Sequence, residues 1–377
     1  MSRMKPLLAG LLTLTALSGA TLPGTAHAGA IDAQDLMRAY NLIVLGDLTT
    51  GHEVEGRTYV GGNISGSAEN FYIRGNQVSD GLALPALTVA GSVGSGNYQI
   101  NNGGSVLVGG SSAANFNMNG TGGNVTIGGS MTGSQTNMGG GVLTVGGNVA
   151  THVNLNSGSS AVIGGAIAPG YHVQGGSVTT GALVSIPVIE NHAPTMLEFT
   201  SQLAGIAATS TATIASGKAT FSSASAVDGL TVFNIADGQS FFNAINEISF
   251  ALDGATTVVI NVGGSTITEN ENFLGGSAAL KAAAANVIWN FYDATSLTFN
   301  TEFWGSVLAP NATVTNNNAL NGSVVVNTFL QNGEVHLPVY AGHITVVTDE
   351  IPEPASLSLL GAGLVGAGLM RRRGRAR

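Results

Sequence analysis

A unit of the form apolar, any residue, apolar, Gly, Gly returns about every eighteen residues through the first half of the chain. It reads Leu87-Thr-Val-Ala-Gly91, Val106-Leu-Val-Gly-Gly110, Val125-Thr-Ile-Gly-Gly129, Leu143-Thr-Val-Gly-Gly147 and Ala161-Val-Ile-Gly-Gly165. The register residue moves from Val89 to Val108, Ile127, Val145 and Ile163, in steps of 19, 19, 18 and 18, and Val60-Gly61-Gly62 reads as an earlier copy set off by a longer insertion. One such unit cannot bury its own apolar face, so a repeat of this length selects a stack of near-identical coils.

Within a unit the apolar residues alternate with outward ones, the period of a strand with one buried face. Further inward positions follow at Val93, Met131, Val149 and Ile167, with Ser112 as the exception, and then at Ile100, Met118, Met138, Leu155 and Val173. Two short strands and two turns are therefore expected to fill each coil, with the Gly pair at the corner. The alternative, a β-sandwich, would show alternation at irregular spacing without one dominant period. The expected fold is mainly β: a discontinuous β-solenoid (β-helix) with coils of about 18 residues and one or two flanking α-helices. Regular coils are expected over about 58–181 and resumed coils over about 255–330, where strand-like runs return at 257–262, 287–291, 305–309 and 322–327. Between them about 190–252 reads as a helical insertion, with helices over about 194–208, entered by Pro194, and about 240–251.

Charge is sparse and unevenly placed. Between Asp80 and Glu190 lie 109 consecutive residues with no Asp, Glu, Lys or Arg. Residues 1–28 read as a secretory signal: Arg3 and Lys5, an apolar run from Leu7, then Ala26-His27-Ala28 before a cut at Gly29. There is no Cys, so no disulfide supports the exported protein. At the other end come Pro352-Glu353-Pro354, sixteen small or apolar residues, and then Arg371, Arg372, Arg373, Arg375 and Arg377. Such a segment halts translocation with the Arg cluster on the cytoplasmic side, and it is shorter than the ~20 residues of a stable span. Two of the 12 Lys and Arg fall in the leader and five in the tail, which leaves five against 21 acidic residues. That balance gives no electrostatic basis for binding nucleic acid.

The order Pro-Glu-Pro, Gly-rich apolar run, Arg cluster over 351–377 resembles the PEP-CTERM sorting signal. The resemblance implies export by the Sec machinery, transient inner-membrane anchoring and processing by an exosortase in a Gram-negative bacterium that makes extracellular polysaccharide. Tyr40-Asn-Leu-Ile-Val-Leu-Gly-Asp47, Glu55-Gly-Arg57 with Val60-Gly61-Gly62, and Gly305-Ser-Val-Leu-Ala-Pro-Asn-Ala-Thr-Val314 resemble the choice-of-anchor A domain, regarded as adhesive, over about 29–345. That family brings no catalytic residues. The coil, helix, coil order is also similar to the discontinuous solenoid of bacterial ice-binding proteins, which by itself licenses no function.

The residues themselves offer little catalysis. Polysaccharide-cleaving β-helices need charges on neighbouring coils, and the regular array has none. Asp237, Asp253, Glu269 and Glu271 read as solvated surface, and His52, Glu53 and Glu55 as a solvated loop. His152 and His172 occupy nearly equivalent places on adjacent coils but lack a carboxylate for a metal site. No Lys follows the Gly pairs in the P-loop pattern. No cofactor is expected.

One feature points to a ligand. Around the inward residues of the second strand stand Gln99 and Asn101, Asn117 and Asn119, Asn137, Asn154 and Asn156, and Gln174. Alternation turns them outward into rows of amides, which both donate and accept hydrogen bonds and so suit sugar hydroxyls. The alternative is that the amides ladder with one another and stabilise the stack. The expected protein is an adhesin-like component of the cell surface or extracellular matrix, not an enzyme, associating with extracellular polysaccharide or a cell surface. The runner-up is an ice-binding protein or ice adhesin, for which the outward residues Thr88, Leu107, Thr126, Thr144 and Val162 form an interrupted row. A polysaccharide-degrading β-helix comes last.

Overall fold

A computed structural model describes residues 32–77, 82–223 and 228–345. Parallel strands stack into a solenoid, and one sheet runs its whole length. From Leu42–Val44 the chain winds outward through Thr58–Val60, Leu87–Val89, Val106–Val108, Val125–Ile127, Val142–Val145, Ser160–Ile163 and Ser177–Thr180, each paired in register with the one before. Val89, Val108, Ile127, Val145 and Ile163 occupy one fully buried column, as the period predicts.

The resumed coils do not continue that stack. They begin at Leu230–Ile235 and pass through Thr257–Val262, Val287–Asn290 and Ser306–Asn316 to Val324–Gln331, which pairs with Leu42–Val44. The first strand of the solenoid therefore lies in its middle. An outbound arm (42–180) and a return arm (230–336) meet there at a seam, and residues 182–191 run back along the outside between them.

Each coil has three sides, one more than the sequence reading gives. The long strand Met131–Met138 bends at Gly133, whose φ is 113°, and so serves two sides. One side is short in the outbound arm, reduced to single bridges through Val93, Ser112, Met131, Val149 and Ile167. Val173 stacks on Val153 rather than on Leu155, a two-residue slip in the last coil. The Gly pairs are required because successive corners nearly touch: a Cβ on Gly128 would collide with the Gly109 carbonyl, and one on Gly129 with the Ser111 hydroxyl. A ladder of short polar side chains seals this corner. Asp47, Asn63, Ser92, Ser111, Ser130 and Asn148 each accept from the backbone N–H of the next coil, at 2.7–3.1 Å.

The helices cover the long sheet from outside. Helix α1, Ala33–Ala39, is capped by Asp32, which accepts from Asp35 N–H at 2.8 Å. Helix α2, Ala193–Ala204, starts with Pro194 in its first turn and buries Met196, Phe199 and Leu203. These pack with Leu36 and Met37 onto the outward residues Val232, Val259, Ile288, Leu308, Val325 and Ile43. That is why Thr257–Val262 is buried at every position: both faces of the strand are covered. Beneath α2 an outward row of Asn234, Asn261 and Asn290 pins the helix, with Asn261 donating to Leu203 C=O (2.8 Å) and Asn290 to Thr200 C=O (3.0 Å).

Three expectations for the second half are corrected. The helix anticipated over about 240–251 is only Gly238–Asn243 (α3), and Glu247–Ala251 is a strand parallel to Lys218–Ser222, because Ile248 and Phe250 alternate inward over Ala219 and Phe221. The stretch 190–252 is not a helical insertion alone, since coils resume by Leu230. Helix α4, Ser277–Asn286, escaped notice although its Ala-rich sequence has high helix propensity. The leader residues Ala26, Ala28 and Gly29, and the tail residues Pro352, Glu353, Pro354, Arg371, Arg372 and Arg373, lie outside the described residues.

Candidate functional site

The third side of the outbound arm consists of Ala68–Phe71, Asn97–Ile100, Asn115–Met118, Met131–Met138, Val149–Leu155 and Val173–Gln174, stacked in parallel. Phe71, Ile100, Met118, Met138 and Leu155 point inward and are buried, so their neighbours face solvent. One outward row reads Asn70, Gln99, Asn117, Asn137, Asn154 and Gln174, in register throughout. Asn119 and Asn101 flank it, and Asn156 lies at the same edge. All the amides picked from the sequence are therefore on one surface, the amide face; Asn70 belongs to it as well.

The amides ladder. Asn137 donates to Asn117 (2.7 Å), Asn154 to Asn137 (2.8 Å), Gln174 to Asn154 (3.4 Å), and Asn119 to Gln99 (3.0 Å) and Asn101 (3.2 Å). Gln135 also donates to Asn137 (2.9 Å), which uses both lone pairs of that oxygen. Capacity is left over in both senses: an NH2 has two hydrogens and a C=O two lone pairs, and outside Asn119, which donates twice, and Asn137, which accepts twice, the ladder uses at most one of each. An incoming ligand thus meets a row of donors and acceptors about 4.8 Å apart. His152 and His172 share this face in adjacent coils, with rings 5.5 Å apart and Tyr171 beside His152 at 5.3 Å.

The row does not stop at Asn70. Bridges from Val54 to Phe71 and to Val335 carry it across the seam, placing Glu53, Glu334 and Glu302 in line with the amides. Asn70 Nδ2 donates to Glu53 Oε1 at 3.1 Å. Beside this row Trp304, Asn321 and His336 form a second one. Helix α4 and the segment 73–77 rise on either side to make an open cleft of about 880 Å³. Glu53 and Glu55 are therefore half-buried walls of a cleft and not a solvated loop; His52 is exposed. Glu55 pairs with Arg74 (2.7 Å) and accepts from Leu337 N–H (2.9 Å). Trp304, Asn321 and His336 are not apparent as a site when each is read singly, yet they recur at about the coil spacing, which is the signal that locates them.

Two acidic residues taken for surface are interior. Glu269 is fully buried and Glu271 nearly so. Burial, and then the charge of Glu271, pushes Glu269 up to about 8, and burial raises Glu271 as well. Thr301 donates to Glu269, with its oxygens at 3.0 and 3.1 Å. Glu269 lies inside because its strand position alternates inward, stacking in register on Phe299. Asp237 is exposed but caps α3, accepting from Ser240 N–H at 3.0 Å, and those Ser240 hydrogen bonds lower its pKa. Asp253 is exposed and accepts from Ser222 at 3.2 Å.

At the seam Thr50 of the first coil, Glu69 of the second and Gln331 of the last form a buried clamp. The Thr50 hydroxyl faces an oxygen of Glu69 (2.9 Å) and the carbonyl oxygen of Gln331. One hydroxyl has one hydrogen, so both contacts are made only when Glu69 carries a proton and donates to Thr50. Burial pushes Glu69 up to about 7, and its other oxygen has no partner among the described residues.

The row weighed for ice lies on the helix-bearing side. Thr88 is 5% exposed, and Pro187 runs beside Leu107 and Thr126. A more regular threonine array is found on the remaining side of the return arm. Thr266, Ser296, Thr313 and Thr328 form one outward row, and Thr268, Thr298 and Thr315 another that continues to Leu330, Thr49 and Ser65. Asn270, Asn300, Asn317 and Asn332 edge it in a ladder of 2.8, 2.8 and 3.2 Å.

These features define a β-solenoid that presents uncharged, hydrogen-bonding rows. A family model described as "Putative Ice-binding-like adhesive domain" matches residues 33–126 and 112–337, and the PEP-CTERM protein-sorting motif matches residues 350–373. The chain belongs to the ice-binding-like adhesive domain family. Its sorting motif marks it for export and membrane-associated sorting by an exosortase. Searches of curated proteins and of solved structures returned no match.

Proposed function

We propose that the protein is a non-catalytic adhesin of the cell surface or extracellular matrix of a Gram-negative bacterium, and that its amide face associates with extracellular polysaccharide. The observation that carries the reading is the in-register row from Asn70 to Gln174, which keeps unspent N–H donors toward solvent after laddering. One Asn-to-sugar hydrogen bond contributes about 0.5–1.5 kcal/mol net, so useful affinity comes from several coils acting together. Substituting Asn117, Asn137 and Asn154 together with Ser is expected to weaken adhesion to matrix polysaccharide far more than any single change. Melting is measured in parallel. Adhesion retained at unchanged melting temperature removes this face from the function.

A second reading, ice binding, is favoured by the threonine rows of the return arm. They repeat at coil spacing on an uncharged side, although Leu330, 41% exposed, interrupts one of them. Thr298→Lys would abolish inhibition of ice recrystallisation if that side meets ice. The same change leaves polysaccharide adhesion through the amide face untouched.

A further inference from the structure

The cleft at the seam lies at the head of the amide row, and its chemistry differs from that row in three respects. It is concave, at about 880 Å³, within the range of small-ligand sites. It carries a half-buried indole, Trp304, on the same outward row as Asn321 and His336. Its carboxylates outnumber its cations.

The pairing inside the cleft shows what remains for a ligand. Glu55 is matched by the Arg74 guanidinium at 2.7 Å, and Glu334 is in contact with the His336 ring at 2.5 Å. Among the described residues Glu302 and Glu53 are held by neutral amides, from Asn321 at 3.0 Å and Asn70 at 3.1 Å. Asn321 is nearly buried and also donates to Phe303 C=O at 3.2 Å, which fixes its oxygen toward His336. Among the described lining residues Lys281, exposed on α4, is the one further Lys or Arg besides Arg74, and it stands against two carboxylates, Glu302 and Glu53, with no ion pair of their own there. An indole beside carboxylates with spare lone pairs suits a pyranose ring that carries a positive charge: the ring's C–H face lies on the indole and its ammonium donates to carboxylate. A uronate in the same place would face Glu302, Glu53 and Glu334.

We propose that the cleft is a binding site for glycan segments containing amino sugars with free ammonium groups, with Trp304 as the stacking platform and Glu302 as the charge partner. Polymer leaving the cleft passes directly onto the amide row, so cleft and face form one track. The cleft's own ligand stands on the cleft alone, whereas the joint track rests on the polysaccharide reading above.

The test is calorimetric titration of the exported protein with short glucosamine oligomers, N-acetylglucosamine oligomers of equal length, and galacturonate oligomers. Saturable binding of the glucosamine oligomer is expected, about tenfold weaker binding of the acetylated one, which has no charge for Glu302, and none of the uronate. Trp304→Ala is expected to abolish binding, while Trp304→Phe, which keeps a ring, retains part of it and guards against misfolding. Glu302→Gln is expected to level the two uncharged and charged oligomers. The Asn117, Asn137 and Asn154 triple variant should bind the short oligomer normally yet hold long glucosamine polymer less well. Uronate bound as well as glucosamine, or binding unmoved by Trp304→Ala, overturns the proposal. Loss of polymer adhesion in the triple variant without any oligomer binding overturns the cleft and leaves the amide face standing.

Discussion

The two arms of the solenoid use the same stacked sheet but fill and cover it differently. In the outbound arm the interior is mostly aliphatic columns, such as Val89, Val108, Ile127, Val145 and Ile163, with one short aromatic stack of Phe71, Tyr98 and Phe116, and from Val89 on its coils are of nearly constant length. The return arm is packed with aromatic rings: Trp289 lies 5.2 Å from Phe303 and 5.3 Å from Phe221, and Phe299 lies 4.5 Å from Phe303. Uniform small residues allow uniform coils, and uniform coils allow straight rows outside. The larger rings accompany longer coils at the start of the return arm, from Leu230 to Thr257 and from Val258 to Val287. The outbound arm thus presents a repetitive uncharged face, and the return arm supplies the irregular loops and α4 that wall a cleft.

Ile127→Asp places an unpaired charge in the dry aliphatic column and is expected to cost several kcal/mol, preventing folding. Trp289→Ala in the aromatic cluster is expected to cost about 3–5 kcal/mol. Because both arms share one sheet and one core cluster, denaturant unfolding of the parent should be a single transition. Two transitions, one sensitive to Trp289→Ala alone, would show the arms to be independent and break the comparison at the seam.

A smaller effect is expected where the return arm is covered. Asn290→Ala removes the hydrogen bond to Thr200 C=O and leaves the Asn261 oxygen without its 2.8 Å donor, at an expected cost of about 1–3 kcal/mol. The same change at Asn137, on the partly exposed amide face, should cost less. Equal losses in urea melts would mean that covering the sheet contributes nothing.

The buried acids of the two arms give a pH dependence of one sign. Glu69 and Glu269 have pKa values raised to about 7 and about 8, so the folded protein holds protons that the unfolded chain releases near the ordinary carboxylate value of 4.5. Their stabilisation is fully present below that value and is lost as pH rises through about 7 for Glu69 and about 8 for Glu269. Glu69→Gln keeps a donor to Thr50 and should raise the melting temperature at pH 8 while flattening the decline between pH 5 and 8. Glu269→Gln should do the same with the decline shifted upward. A melting temperature that rises with pH over this window would show both groups to be ionised in the fold.

The outbound arm was legible because one of its sides is solvated, so alternation exposes the inward columns and locates the amide rows. The return arm was not, for two physical reasons. Under α2 the outward positions Val259, Ile288 and Leu308 are as apolar as the inward ones, which erases the period of two. The pairing of Leu42 with Val324 joins residues far apart in sequence, and no local pattern announces it. Glu269, an inward carboxylate, read as surface because charge is the weakest cue to orientation where a proton can neutralise it.

The position of the first strand bears on export. A chain that emerges from its N-terminus can pair Leu42–Val44 with Thr58–Val60 at once, but the other edge waits for Val324–Val326. Until then that edge is an open template for wrong partners. The clamp of Thr50, Glu69 and Gln331 likewise cannot form until Gln331 has emerged. The strand that closes the seam emerges shortly before the sorting motif at 350–373. Chain order therefore distinguishes incomplete molecules from finished ones: until Val324–Val326 has emerged the first strand keeps an open edge, and that edge can be closed before the sorting motif follows.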